Sequence, residues 1–432
     1  MRVRPANLVC VFGALACAGA TGCAAVFGIE EGVLRPTLEV SGSIGKDTTW
    51  YADQTTILTG YVVVESGATL TIEPGTKILA HAEAGILVRQ GARIVARGTK
   101  EAPIVFTSVE TERAEGDWRG LVLCGRAPIN GAPDGRCLDF FPPEIEATCG
   151  GTAEDDSSGE LRFVRIEFAG RNDGWPGSPG GLRLEGVGSG TVVDHVQLHR
   201  TEADAIDLRG GTVSVKYILV TGYEDDGFDW ALGWRGKGQF IGIVMGDMQG
   251  DTCIQAGEGT SDAEVDGAGT APSDPLLYNV TAVGMADQFG PNLKLRGGTR
   301  GRMFDMLVAN AGKTGLAIDE TKAHQNANAG FLDIRHSIFA NDDNFEDGEA
   351  DFAESEWATD AMRKNRALSA DESGLPLFTN GPVYLSLTSG AEGLSGAIAP
   401  PDDGFFDPTA LFVGACGEVC PDFEGWTAFP DR

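Results

Sequence analysis

The segment Glu202-Ala203-Asp204-Ala205-Ile206-Asp207-Leu208 returns 22 residues later as Glu224-Asp225-Asp226-Gly227-Phe228-Asp229-Trp230, acid over acid and apolar over apolar. A period of that length, built from short β-branched runs and turn glycines, restricts the chain to stacked coils, since each repeat can bury its apolar side only against its neighbours. A second pair supports the period. Val63-Val64-Glu65-Ser66-Gly67-Ala68-Thr69-Leu70 matches Leu87-Val88-Arg89-Gln90-Gly91-Ala92-Arg93-Ile94 at an offset of 24 residues, and both read as strand, Gly-Ala corner, strand. Alternation such as Leu70 with Ile72, or Ile94 with Ala96, sends one side of each strand into the coil interior. The expected fold class is all-β, a parallel β-helix (solenoid).

Strand signals recur at 163–166, 193–198, 215–220, 240–244, 276–283, 303–308 and 334–339. Companion strands starting at Leu182, Ile206, Leu293 and Leu316 line up as one corner. Between Glu112 and Asp156 the period lapses amid Pro128, Pro133, Pro142 and Pro143, which predicts a long insertion over about 112–158. Residues 257–274, rich in Gly, Ser and Asp, read as a surface loop. Phe352–Leu368 is the one good helical candidate, with Phe352, Trp357, Ala361, Met362 and Leu368 on one side. A solenoid end exposes an apolar cross-section and unpaired strand groups, so a C-terminal cap is required. That helix and the segment Cys416 to Phe429 are assigned to it. The expected organisation is a signal peptide at 1–23, a linker at 24–45, the β-helix at 46–345 and the cap at 346–432.

Chemistry outside the repeats sets the compartment. Arg2 and Arg4 precede an apolar run from Leu8 to Ala20, and Ala20-Thr21-Gly22 precede Cys23, which reads as an export signal. Six cysteines follow Cys23, an even number suited to disulfides in an oxidising compartment. The local pairs Cys137 with Cys149 and Cys416 with Cys420 each close a short loop, and Cys124 and Cys253 are left unassigned. A zinc site is disfavoured because no second CxxC or His pair lies near Cys416. The formal charge of −30, from 63 acidic against 33 basic residues, repels nucleic acid and anionic membrane and favours cations. No stretch after the leader reaches the ~20 apolar residues that cross a bilayer.

The run Gly67-Ala68-Thr69-Leu70-Thr71-Ile72-Glu73-Pro74-Gly75, then Pro103 to Ser108, then Gly116-Asp117-Trp118-Arg119-Gly120-Leu121-Val122, resembles exported right-handed, pectin-lyase-like β-helix proteins of bacterial cell surfaces. Val164 to Gly170, Asp225-Asp226 and Gly425-Trp426-Thr427 fit the same pattern. Many members are lipoproteins, and Cys23 after small residues resembles their lipidation site. The resemblance implies a right-handed coil and an exported protein at the outer membrane or cell surface, or secreted. It lends no reaction to these positions.

The acidic repeat is the candidate site. Coils about 4.8 Å apart stack Glu202 by Glu224, Asp204 by Asp226 and Asp207 by Asp229, with Asp225 adding a further carboxylate. Like charges at that spacing repel by about 3.5 kcal/mol per pair at an effective dielectric of 20. Solvation, shared protons, nearby Arg and Lys, or a bound cation must relieve it. A hard cation such as calcium suits oxygen-only donors, and a plain solvated acidic corner is the alternative. A third reading is catalysis. Polygalacturonases carry an Asp on one coil and an Asp-Asp pair on the next, and Asp204 with Asp225-Asp226 is similar, with Asp229 beside them. The Gly-His-Gly and Arg-x-Lys elements of that pattern are missing; Lys294-Leu295-Arg296 is reversed, and His195 and His199 precede the acids. Pectate-lyase-like elimination would want a basic Arg or Lys beside calcium-binding acids, and Arg209 and Lys216 lie near in sequence, which alone does not assign either as the base. Trp230 and Trp234 read either as a sugar-stacking platform or as packing. The acidic run Asp342 to Asp351 lacks EF-hand spacing and reads as a solvated loop.

The functional expectation is therefore a lipid-tethered cell-surface β-helix that binds a glycan or a protein partner with calcium support. The alternative is a polysaccharide-degrading enzyme working at the corner of Asp204 and Asp226.

Overall fold

In the computed structural model every paired strand runs parallel to its partners in the neighbouring coils, which makes one continuous 24-stranded sheet wound into a parallel β-helix. Described are residues 36–428 apart from 131–144, 146, 173–177, 247, 249, 258–270, 286, 349–351 and 377–384. The expected leader with Cys23, the cysteine Cys137, Phe429 and most of the 257–274 loop lie outside them. The unit Pro36–Arg432 holds all the described residues.

Three faces build each coil. The face that carries the site runs through Gly85–Val88, Gly120–Cys124, Leu182–Glu185, Ile206–Arg209, Phe228–Ala231, Ile254–Ala256, Leu293–Leu295 and Leu316–Ile318. The other two are the halves of single long strands, such as Val192–Thr201 and Ser214–Tyr223, bent at their middles. At each bend stands one residue in the left-handed region: Phe163, His195, Tyr217, Phe240, Asn279, Asp305, His336 and Lys364. That conformation costs non-glycine residues about 1–2 kcal/mol each. Ring stacking along the same edge offsets part of it, with centroids 4.2 Å apart for Phe163 and His195, 4.3 Å for His195 and Tyr217, and 4.9 Å for Tyr217 and Phe240.

Alternate residues of the site face fill the interior. Leu182, Leu184, Ile206, Leu208, Phe228, Trp230, Leu293, Leu295, Leu316 and Ile318 are all buried, and each such side chain contributes about 1.5–3 kcal/mol on leaving water. The bulk of Phe228, Trp230 and Trp234 is balanced one coil on by Ala256, which keeps the interior filled without overpacking.

Several boundaries differ from expectation. Strand Leu38–Ile44 already pairs with Thr56–Val64, so the coils begin inside the expected linker. Gly120–Cys124 pairs with the strands on both sides, so the break in period starts only after it. The expected helix at 352–368 is a single turn, Glu354–Ala358, followed by strand Arg366–Leu368, which extends the sheet. Pairing Ile338 with Arg366 satisfies strand groups that a longer helix would leave open. A longer helix forms instead at Thr321–Ala329 and ends on Gly330 in the left-handed conformation. Phe352 stacks on His324 at 4.6 Å and the Trp357 indole N–H donates to Ala327 O, so these two helices close the C-terminal coils.

Cys416 and Cys420 form the expected disulfide, and Cys149 is disulfide-bonded. Cys124 and Cys253 are buried thiols. The segment that follows Gly396 does not cap the end as expected. It folds back along the bent edge, where Asp305 accepts from Ile398 N–H, Asn279 donates to Phe412 O, and Arg165 donates to Trp426 O in the N-terminal half of the helix. Trp426 packs edge-on against Phe163 and His195. The fold-back segment takes apolar ring surface of that ladder out of water, while the C-terminal coils are already closed by Phe352 and Trp357.

Candidate functional site

Along the outward side of the site face, register places Val63, Leu87 and Val122 in one column, followed by Arg183, Asp207, Asp229, Gln255 and Lys294. The column turns from apolar to charged within one coil. Beside it run Cys124, Glu185 and Arg209. Asp207 is fully buried and receives Arg183 Nη2 at 2.8 Å and Arg209 Nε at 2.9 Å. Arg209 also reaches Asp229 at 3.8 Å, and Arg183 reaches Glu185 at 3.5 Å.

The corner just before these strands holds the other acids. Asp226 N–H donates to Asp204 Oδ1 at 3.2 Å. Asp226 is buried and fixed by the backbone N–H and hydroxyl of Thr252 and by Gln255 Nε2 at 2.6 Å. Asp204 is half-buried, and Asp225 is exposed. Two carboxylate triads result, Asp204 with Asp207 and Asp229, and Asp204 with Asp225 and Asp226, with donor atoms in each within 4.8 Å of one another. Asp204 belongs to both. Asp229 is 1% exposed, and its Oδ1 has no hydrogen-bond partner among the described residues.

Electrostatics follow from that crowding. Burial, then Asp207 and Asp225, push the Asp204 carboxyl up to about 7. Burial and neighbouring carboxylates likewise raise Asp225, Asp226 and Asp229. The two triads are not equivalent. Arg183 and Arg209 contact the first directly, through Asp207, whereas among the described residues no guanidinium contacts the second: the two arginines act on its Asp204 only through space, and Lys294 acts on Asp225.

The structure divides the residues proposed from sequence. Asp204, Asp207, Asp225, Asp226 and Asp229 converge. Glu202 and Glu224 stack on each other as expected but stay outside both triads, because they directly follow strands Val192–Thr201 and Ser214–Tyr223 and leave the corner on its other flank. Glu202 accepts from Asn172 N–H there. Trp230 and Trp234 are no sugar platform: both are fully buried, with indole N–H groups donating to Thr299 Oγ1 and Val213 O. His195, His199 and Lys216 also lie off the site; His195 meets the fold-back segment, His199 bonds Thr221, and Lys216 donates to Phe405 O. Arg209 alone of the suggested bases reaches the acids. Sequence reasoning missed Arg183, Thr252 and Gln255. The signal for Arg183 was present, since Leu182-Arg183-Leu184-Glu185 sits one period before Ile206-Asp207-Leu208-Arg209 and crosses charge for charge.

The profile of the pectate-lyase-like β-helix domain matches residues 42–381. The chain belongs to that family. The match covers the coils from the first strand through Arg366–Leu368, and therefore every residue of the acidic corner. No curated protein and no solved structure gives a match.

Proposed function

We propose that the protein is exported, lipid-tethered at Cys23, and serves as a cell-surface binding body that engages a glycan or surface protein through its site face, with a hard cation seated at Asp204, Asp225 and Asp226. The observation that carries the reading is the sharing of Asp204 by two carboxylate triads, one of which has no guanidinium in contact with it among the described residues. The donor set fits calcium: it is oxygen only, Asp226 is preoriented by Thr252 and Gln255, and Asp225 is open to solvent. When bound, such a cation supplies charge neutralisation and open positions for ligand oxygens. The protein's part is to hold Asp204 and Asp226 in place and to keep Asp207 occupied by its arginines.

The test is thermal melting in calcium and in chelator, on the natural protein and on Asp225→Asn, joined to retention on a polysaccharide panel under both conditions. A calcium-dependent rise in Tm that Asp225→Asn abolishes supports the site; no shift ends it. A second reading has its own support. A half-buried Asp204 raised to about 7 beside an exposed Asp225 has the form of an acid and base pair for glycoside hydrolysis. Product release from any polysaccharide, lost in Asp204→Asn, decides for it.

A further inference from the structure

On the flank of the corner away from both triads, Glu115, Arg200, Glu224, Met248, Met285, Asp287 and Phe289 line a groove of about 620 Å³. Its floor and its wall differ in chemistry. Met248 is buried and lies over Gly222, where a Cβ would come within 2.8 Å of the Met248 sulfur, so a glycine at that φ of 77° is what lets the methionine seat. Phe289 stands 64% exposed at the groove. It is held by its backbone N–H on Gly250 O.

The charges are unbalanced in one direction. Arg200 is engaged by Glu115 at 2.5 Å. Among the described residues, neither the Glu224 nor the Asp287 carboxylate has a hydrogen-bond or ion-pair partner.

We propose that this groove is a docking site for a basic segment of a partner protein, with a Lys or Arg side chain as its occupant. Two independent complementarities select that chemistry. The aliphatic stem of such a side chain matches Met248, Met285 and Phe289, as methionines adapt to varied apolar shapes and long cationic side chains bury their stems. Its charged head meets Glu224 and Asp287 and lies within reach of the Phe289 ring face. Acidic ligands are refused, since the one guanidinium in the groove is already bound to Glu115. The inference stands apart from the cation site, because none of the groove residues belongs to either aspartate triad.

The experiment uses a fluorescein-labelled octalysine peptide and fluorescence anisotropy with the full mature chain at about 0.05 M and 0.3 M salt. Loss of two charge-assisted contacts in Glu224→Gln/Asp287→Asn is expected to weaken binding about tenfold or more. Phe289→Ala is expected to weaken it about threefold. The control Asp402→Asn/Glu418→Gln changes net charge equally at two exposed positions remote in sequence from the groove, and is expected to leave affinity within twofold. Equal weakening in both double variants would show diffuse attraction to an acidic protein and overturn the site. An unchanged affinity in Glu224→Gln/Asp287→Asn, or binding of an amino-sugar oligomer but not of the peptide, overturns it as well. Thermal melting of each variant confirms that it is folded.

Discussion

Arg209→Met tests whether the charged column acts as a buried network or as a solvated face. The substitution removes both 2.9 Å bonds from Nε to Asp207 and the 3.8 Å contact with Asp229, while the methionine keeps most of the side-chain volume. Asp207 and Asp229 are 0% and 1% exposed, so water cannot take over from the guanidinium. Breaking a buried pair by removing one partner costs about 3–5 kcal/mol. Over roughly 400 ordered residues at about 2.1 cal/mol/K each, the unfolding entropy is about 0.8 kcal/mol/K, which makes the loss a Tm decrease of about 4–6 °C. The carboxyl of Asp229 is already raised by burial and its neighbours, and losing Arg209 favours its neutral form further, so the penalty shrinks as pH falls. Calorimetry at pH 8 and pH 5 reads both effects, and adding Asp229→Asn to Arg209→Met is expected to restore part of the loss at pH 8. A decrease below about 1 °C at pH 8, or one as large at pH 5, would refute the buried-network reasoning.

Acid titration of the corner gives a signed prediction. Asp204, Asp225, Asp226 and Asp229 all have folded carboxyls raised above the ordinary 3.8. The folded state thus holds their protons more tightly, and the associated stability, complete below the ordinary carboxyl value, is lost as pH rises through each folded value, which for Asp204 is about 7. In chelator Tm is expected to fall between pH 5 and 8, and millimolar calcium to flatten that fall; a Tm rising over the interval contradicts the assignment. For the fold-back segment, burial lowers His195 but Asp194 and Asp422 outweigh it and hold the imidazole above 6.5. Its contribution to docking is present below pH 6.5 and declines as pH rises through the folded value. Hydrogen exchange of residues 420–428 at pH 6 and 8.5 should show faster opening at the higher pH in the natural protein and little difference in His195→Gln. Trp230→Ala empties a fully buried site and is expected to cost about 3–5 kcal/mol; in the natural protein the Trp230 share of the indole fluorescence, taken as the difference from this variant, is expected to be insensitive to any added glycan, and quenching of that share would mean the interior is accessible.

The coil strands were legible because their information is one-dimensional: a 22-residue offset and a two-residue alternation specify which side chains stack and which face inward. The same offset brought Asp204, Asp207, Asp226 and Asp229 onto one corner. It also carried Glu202 and Glu224 into the proposed set, because a period fixes height along the coil but not which side of a bend a side chain leaves from. Trp230 shows the converse. Its parity with Leu208 and Phe228 already assigned it to the interior, and chemical expectation for an indole beside acids obscured that signal. Helix Thr321–Ala329, sequence TKAHQNANA, has no apolar stripe and was silent to periodicity, while its alanines favour helix and its polar face closes on Gly298 and Thr299 carbonyls through Asn326. The fold-back segment was unreadable for another reason. Its contacts, such as Ala428 with Gln197 and Lys216 with Phe405, join residues about two hundred positions apart and follow no repeat.

The most direct measurement is anomalous diffraction from crystals of the mature chain soaked in terbium or another calcium-like lanthanide. A single strong peak ligated by Asp204, Asp225 and Asp226, and absent in Asp225→Asn, is the predicted result. A corner with no peak, or ions scattered over the acidic surface with none at Asp204, contradicts the cation-holding role assigned to it.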